Sequence, residues 1–286
     1  MFRRNPALFF MLVSVLGFAL MNLTVKYLQR LPPTELVLFR SLISLVLSYY
    51  FLRRRNLSVW GNNRPILILR GLSGVVALSL FFFTLQQLPL GSAITLQYLS
   101  PIFTALFGWL LLREKVHPWQ WAFFVFSFAG IALVKGFDDR ISPLLLASGI
   151  GSALFAGLAY VFVRKVRHTD HPLTVVLYFP LIATPVMLVF ALFYWKWPRG
   201  WEWPLLLLMG VLTQVAQIYM TKALQAAEVN EIASLKYLGV VFALGFDFFL
   251  FDLAYQPLAL VGMGLVLSGV ILNVAFKAYQ RRKGRA

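Results

Sequence analysis

Long apolar runs dominate the pattern of hydrophobic and polar positions along the chain, and short polar or basic segments separate them. Each run has about 20 residues, the length that an α-helix needs to cross a hydrocarbon core about 30 Å thick. The runs lack the period-two alternation of transmembrane β-strands, so helices are predicted. We therefore predict an all-α integral membrane protein with ten transmembrane helices, at residues 6–28, 34–53, 65–88, 90–112, 118–136, 143–164, 172–194, 203–226, 229–251 and 257–277.

The two halves of the chain carry the same landmarks at a constant offset of 139 residues. Five predicted spans in each half force the second copy to enter the membrane from the opposite side, so the repeat is inverted. We expect a first repeat in residues 1–139 and a second repeat, with a basic tail, in residues 140–286. The equivalent pairs include Pro33 and Pro172, Gly61 and Gly200, Gly71 and Gly210, Tyr98 and Tyr237, and Gly130 and Gly269.

Inverted repeats are typical of secondary transporters, because two similar halves can open a shared cavity first to one side of the membrane and then to the other. A duplication that only enlarged a helical scaffold is the alternative. Polar residues that lie inside the spans at corresponding places of both halves favour transport.

Composition and charge agree with a membrane protein. The chain is 60% hydrophobic and 13% charged, with a mean hydropathy of +0.78 and a formal net charge of +16. With the N-terminus in the cytoplasm, sixteen basic residues fall on the cytoplasmic side and six on the other, the bias of the positive-inside rule. We expect a multi-pass protein of the plasma membrane, the bacterial inner membrane, with both termini cytoplasmic and no binding to nucleic acid.

Two polar pairs lie inside predicted spans at equivalent positions of the halves: Gln97 precedes Tyr98, and Lys236 precedes Tyr237. At 1.5 Å per residue, each pair lies about 11 Å from its helix start, and the two are entered from opposite faces. A lysine that faces lipid at this depth costs about 3 kcal/mol or more, so we expect Lys236 to face a cavity or the bundle interior. Snorkelling towards the interface is the alternative. The two tyrosines are expected to stack on a ligand from two sides.

Three further basic residues fall inside predicted spans. Arg40 lies about six residues inside the second span, where it either binds substrate or serves as a structural partner of Glu35 or of backbone carbonyls. Arg70 and Lys222 lie nearer the cytoplasmic ends of their spans. We therefore expect their side chains to reach water or phosphate headgroups.

Neutral and acidic residues add candidates for a polar site. Gln214, Gln217 and Thr221 follow one another at helical spacing and form a polar stripe on the eighth span. Lipid cannot hydrogen-bond such a stripe, so it must face protein or a cavity; contacts between helices and contacts with substrate both remain open. Asp247 in the ninth span is a candidate for a proton-coupling carboxylate, or a hydrated group near the outer end.

Several short motifs resemble those of the drug/metabolite transporter superfamily, in particular its EamA-type members. The motifs are FRSL at 39–42, LPLGSAITLQYLSP at 88–101, LLLRE at 110–114 and KALQAAEVNEIASLKYLG at 222–239. A narrower similarity to bacterial S-adenosylmethionine transporters rests on LRG at 69–71 with Lys222, Ala223 and Tyr237. The resemblance covers essentially the whole chain and implies a ten-helix fold that transports a metabolite.

We therefore predict a secondary active transporter that moves a small polar metabolite, an amino acid or a related compound, by alternating access in export or exchange. An S-adenosylmethionine or nucleotide-type cargo is one alternative, and a membrane scaffold or lipid-handling protein is another. No enzyme signature, Walker-type phosphate loop or cysteine occurs, so we expect no enzyme, no cofactor and no metal site. The expected partners are the substrate, membrane lipid and a coupling proton, in a monomer or homodimer. The candidates for substrate binding are Arg40, Gln97, Tyr98, Gln214, Gln217, Lys236 and Tyr237.

Overall fold

The computed structural model describes residues 6–113, 116–166, 168–226, 235 and 237–283, and every regular element within these ranges is an α-helix. Nine segments of this described chain are long and apolar enough to cross a membrane, and Leu238–Phe251 is a further, shorter apolar helix. The predicted all-α integral membrane fold is confirmed. The helices are α1 Pro6–Tyr27, α2 Pro33–Arg54, α3 Arg64–Gln87, α4 Leu90–Gln97, α5 Ser100–Leu112, α6 Pro118–Phe137, α7 Pro143–Lys165, α8 Pro172–Tyr194, α9 Glu202–Ala226, α10 Leu238–Phe251 and α11 Pro257–Lys283.

The fourth predicted span is one membrane-crossing segment made of two helices, α4 and α5, with Tyr98 and Leu99 between them. Pro101 has no N–H to donate, so the carbonyl of Gln97 lacks its usual helical partner. The N–H of Tyr98 lies 3.1 Å from the carbonyls of both Ile94 and Thr95, which shows a tightened turn. In the second half, α10 likewise begins directly after Tyr237, the residue equivalent to Tyr98.

The helices pack in pairs that join the two halves. Helix α1 packs on α9, and its repeat equivalent α7 packs on α3; α2 packs on α8, and α6 packs on α11. Single contacts repeat in the same way. A Cβ atom on Gly71 would meet Ile182, and a Cβ atom on Gly210 would meet Ile43, at positions offset by 139 residues. The two halves are therefore related by a pseudo-twofold axis that passes between α2 and α8.

One face of the bundle, where α1 ends, is closed by buried polar contacts. We call it the C-face, and the opposite face, where α1 begins, the N-face. On the C-face, the ammonium of Lys26 donates to the carbonyls of Gln86 (3.1 Å) and Leu88 (2.6 Å). Arg30 forms an ion pair with Glu202, which joins the α1–α2 connection to the start of α9. These contacts hold the ends of α1, α3 and α9 together.

Asp247 also belongs to the C-face. Its carboxylate accepts hydrogen bonds from the backbone N–H groups of Leu90 (3.0 Å) and Gly91 (2.7 Å) and from the hydroxyl of Tyr255 (2.6 Å). Burial and the adjacent carboxylate raise the pKa of Tyr255, so its phenol stays protonated and donates. Asp247 is 0% exposed, and the expectation of a hydrated carboxylate is wrong. The residue caps the start of α4 from α10, where a negative charge is favoured.

The N-face ties the α2–α3 and α7–α8 connections together. Asp170 accepts from the backbone N–H groups of Asn62 (2.5 Å) and Asn63 (3.3 Å). The hydroxyl of Tyr178 donates to the carbonyl of Trp60 (2.6 Å). These connections are the repeat equivalents of those that Arg30 and Glu202 join on the C-face. Equivalent pairs of connections are therefore joined by side-chain contacts on both faces.

Asp247→Asn is expected to destabilise the protein by about 1–3 kcal/mol, because two buried backbone N–H donors lose a charged acceptor. Thermal unfolding of the purified protein in detergent measures the change. The matched control is Asp252→Asn, which removes the same charge at an exposed residue whose φ of 52° asparagine tolerates. Equal stability of the two variants would contradict the capping role.

Candidate functional site

A cavity of about 180 Å³ lies inside the bundle, between α2, α3, α7, α8 and α9, with Gln97 contributing from the end of α4. It extends from the middle of the bundle towards the N-face. On α3 it reaches Arg70, in the second turn after the helix begins at that face, and on α7 it reaches Val163, close to the helix end at that face. Helices from both halves of the chain form its walls, so the cavity lies at the interface between the two halves.

Arg40 lines this cavity and is 7% exposed. Its Nε donates to the hydroxyl of Thr213 on α9 (3.2 Å), and that hydroxyl donates to the carbonyl of Met209 (2.8 Å). The Nη1 atom is buried and has no hydrogen-bond partner among the described residues. The proposed pairing with Glu35 is wrong, because Glu35 accepts instead from the backbone N–H of Lys196.

Arg70 also lines the cavity, so the expectation that it snorkels to the membrane surface is wrong. Its Nε and Nη1 atoms are buried and have no hydrogen-bond partner within the described ranges. Gly74, one turn further along α3, explains the position. A Cβ atom there would lie 2.8 Å from the ring of Phe179 and 3.6 Å from Nη1 of Arg70. Gly74 therefore leaves room for the ring of Phe179, against which the guanidinium of Arg70 lies.

Phe179 on α8 lies against both arginines. The guanidinium carbons of Arg40 and Arg70 are 5.8 Å and 5.5 Å from the centroid of its ring, and Arg40 is also 5.7 Å from the ring of Phe82. Cation–π contacts of this kind contribute about 0.5–2 kcal/mol each. Arg40 and Phe179 occupy equivalent positions of the two repeats. A contact between equivalent residues lies beside the pseudo-twofold axis, near the middle of the bundle.

Three glutamines complete the polar wall. Gln97, Gln214 and Gln217 all line the cavity, which is one of the two locations that the polar stripe left open for Gln214 and Gln217. The side-chain amide of Gln97 lies 2.7 Å from the hydroxyl of Ser152, which lies 2.8 Å from the carbonyl of Ala77. This chain of contacts orients Gln97 from α7 and α3. The side chain of Thr221, the third member of the stripe, lies outside the described part of the chain.

Tyr98 and Tyr237 contact each other in the core. Their ring centroids are 5.3 Å apart and their planes are tilted by 43°, so a ligand does not fit between them in this conformation. Their role in substrate binding stays a prediction. Lys236 lies outside the described residues. Lys222 is exposed, with its ammonium 5.1 Å from the ring of Tyr219.

The cavity has a positive balance. Two arginines line it, and within the described ranges no carboxylate does. Asp247, the candidate for proton coupling, lies on the C-face away from the cavity, and its coupling role stays a prediction. The described residues also contain no cluster of three metal-ligating side chains.

Sequence reasoning missed Phe179 and Tyr160, which both line the cavity. The repeat offset could have found Phe179, because it pairs this residue with Arg40. Tyr160 has no such signal: its repeat equivalent is Met21, an apolar residue of α1.

Comparison with known proteins finds relatives over almost the whole chain. The EamA-like transporter family matches residues 5–136 and 143–275. The pseudopaline exporter CntI of Pseudomonas aeruginosa (strain UCBPP-PA14) is 30% identical over 269 residues, covering 93% of each chain. Solute carrier family 35 member G1 of Homo sapiens is 31% identical over 263 residues, covering 86% of this chain and 72% of that protein. A riboflavin transporter of Vibrio cholerae is 31% identical over 229 residues, covering 77% and 76%.

The fold has also been seen in a solved structure. A protein crystal structure matches with a TM-score of 0.68 over 96% of this chain and 98% of that chain. The two sequences are 19% identical, so this likeness bears on the fold alone.

Thr213→Val is expected to lower stability by about 1–3 kcal/mol, because the buried Nε of Arg40 loses its acceptor. Thr84→Val is the matched control, since the Thr84 hydroxyl is also buried but donates only within its own helix, to Phe81. Thermal unfolding in detergent compares the two. If Thr84→Val costs as much as Thr213→Val, the contact between Arg40 and Thr213 does not fix the arginine.

Proposed function

Because the chain belongs to the EamA-like transporter family, we propose that it moves a small polar metabolite across the membrane by alternating access, as a secondary active transporter. Its relatives are membrane transporters of small metabolites, and the chain itself is a multi-pass membrane protein. One observation carries the proposal: a cavity lined by two arginines and three glutamines lies at the interface of two repeat-related halves. Hydrocarbon offers no hydrogen-bond partner to these side chains, so water or a cargo must occupy the cavity to solvate them.

The position of the cavity supports a particular conformational state. The cavity extends from the middle of the bundle towards the N-face, whereas contacts of Lys26, Arg30 and Asp247 join the helices on the C-face. With the N-terminus in the cytoplasm, as the distribution of basic residues predicts, the cavity lies towards the inner side of the membrane, in a state whose N-face connections are also joined, by Asp170 and Tyr178. Alternating access requires the C-face contacts to break when cargo is released outside. Export or exchange is the direction that we propose.

The cargo that we propose is an amino acid or a related compound. A cavity of about 180 Å³ is smaller than the pockets of roughly 300–1,000 Å³ that hold drug-sized ligands. Arg40 would bind a carboxylate of the cargo, and the three glutamines would orient its other polar groups. Lys236 and the pair Tyr98 and Tyr237 would complete the site from the ninth predicted span. A cationic cargo such as S-adenosylmethionine is disfavoured, because no carboxylate among the described residues lines the cavity.

Reconstitution tests this proposal. The purified protein is reconstituted into liposomes, and the liposomes are loaded with one unlabelled compound from a panel of amino acids, carboxylates, nucleotides and S-adenosylmethionine. Uptake of the same compound in labelled form is then measured. We expect saturable uptake that the loaded compound accelerates. Uptake equal to that of protein-free liposomes for every compound would favour a scaffold or a lipid-handling protein instead. Normal transport in both Lys236→Ala and Tyr237→Ala would remove those residues from the site.

Water access to the cavity gives a second test, because the chain has no native cysteine. Ser48→Cys places a thiol in the cavity wall of α2, and Val46→Cys places one on the outer surface of the same helix, where Val46 is 66% exposed towards lipid. A hydrophilic, membrane-impermeant maleimide is expected to label Ser48→Cys from the N-face and to spare Val46→Cys. Equal labelling of both thiols, or labelling of neither, would contradict a water-filled cavity.

A further inference from the structure

We propose that Arg40 and Arg70 together form a binding site for a small cargo with two negative charges. The inference rests on the proposed transport function and narrows the proposed cargo: where Arg40 alone would bind one carboxylate of an amino acid or a related compound, Arg40 and Arg70 together would select a small compound with two negative charges. The shared chemistry is a doubly anionic group or pair of groups, which a dicarboxylate or a phosphate monoester supplies.

The first support is a set of buried donors without acceptors. Nη1 of Arg40, and Nε and Nη1 of Arg70, are buried and have no partner within the described chain. Arginine stays charged under all ordinary conditions, so the two side chains cannot avoid the cost of burial by losing a proton. The contacts with Phe179 stabilise the two cations, but an aromatic ring has no oxygen to accept hydrogen bonds from the N–H groups and carries no net negative charge. An anion supplies both the acceptor oxygens and the negative charge.

The second support is the number of charges. Two like charges that share the ring of Phe179 repel each other across a cavity with no described carboxylate. One carboxylate would neutralise only one of them and leave a buried cation. A cargo with two negative charges neutralises both, and each planar guanidinium can present a pair of N–H groups to it.

The third support is the location. Arg40 and Phe179 are equivalent residues of the two repeats and contact each other beside the pseudo-twofold axis. In carriers with inverted repeats, the binding site lies near this axis, at the midplane, where it stays in place while either face opens. Tyr160, Ser44 and Ser48 line the same cavity and add hydroxyl donors for the remaining oxygens of the cargo.

A purely structural role for Arg70 predicts a different result when the residue is replaced. A half-buried cation whose buried N–H groups have no described acceptor does not stabilise a fold, so Arg70→Gln is expected to leave the melting temperature of the cargo-free protein unchanged or to raise it. A structural arginine would lower it on replacement. This readout separates binding from folding.

A series of matched compounds tests the charge of the cargo. Succinate, succinamate and succinamide share one skeleton and carry two, one and no negative charges, and glycerol 3-phosphate with glycerol forms a second pair at pH 8. Binding is measured as thermal stabilisation of the purified protein over a range of concentrations. We expect succinate or glycerol 3-phosphate to stabilise the protein and the neutral compounds to have no effect. Which of the two binds more tightly distinguishes a dicarboxylate cargo from a phosphate ester.

Variants assign the effect to Arg70. Arg70→Gln is expected to weaken binding of the dianion by about ten- to a hundredfold, the cost of losing one charge-assisted hydrogen bond. Arg70→Lys should restore part of it. Arg64→Gln is the matched control, since Arg64 lies on the same helix with the same charge but is exposed outside the cavity. The control should bind as the wild type does.

Each outcome decides between claims. The inference is overturned if neither dianion binds, if the neutral compounds bind equally well, or if Arg64→Gln and Arg70→Gln weaken binding to the same extent. If neutral or cationic compounds are transported and Arg70→Gln does not change their flux, the transport function is supported and the dianionic cargo is contradicted. If a dianion binds in a way that depends on Arg70 but no compound is transported in liposomes, the binding site is supported and the transport function is contradicted.

Discussion

Hydrocarbon can neither solvate a charge nor accept a hydrogen bond, and the arrangement of this bundle depends on that constraint. Every polar side chain within the spans must find a partner inside the protein or line a space that water can enter. On the C-face, Lys26 and Asp247 find backbone partners and lie in closed contacts. Deeper in the bundle, Arg40 and Arg70 keep buried donors without described partners beside a cavity. The contacts of Lys26 and Asp247 hold helices together, whereas the unpartnered donors of Arg40 and Arg70 are the groups that we propose bind an anionic cargo.

The repeat gives the halves one architecture but different chemistry at the axis. Arg40 is equivalent to Phe179, so one half supplies a cation where the other supplies an aromatic ring. Tyr98 and Tyr237 are the exception, because the same side chain occurs in both halves and the two rings touch. In the proposed mechanism, symmetric packing of α2 on α8 would allow either face to open. Asymmetric side chains at the axis allow a single asymmetric cargo to bind.

The apolar runs predict the helices well, because length and hydropathy depend on the bilayer and not on tertiary contacts. The spacing of Gln214 and Gln217 also predicts their shared face, which lines the cavity. Arg70 could not be predicted in this way. Its distance from the helix end suggests a side chain that reaches the surface, but the structure places it in the cavity wall, with its guanidinium carbon 5.5 Å from the centroid of the Phe179 ring. Asp247 was missed as a helix cap because its partners, Leu90 and Gly91, lie more than 150 residues away in the chain.

Alternating movement of the two faces is the central claim, and distances between spin labels test it most directly. Cysteines at Arg54 and Lys165 mark the exposed ends of α2 and α7 on the N-face, and cysteines at Arg199 and Ala254 mark exposed positions on the C-face. Pulsed electron spin resonance is recorded in nanodiscs, without cargo and with the compound that stabilises the protein most. We predict that this compound shortens the distances on the N-face and lengthens those on the C-face. Distances that stay fixed on both faces, or that change in the same direction on both, would contradict alternating access.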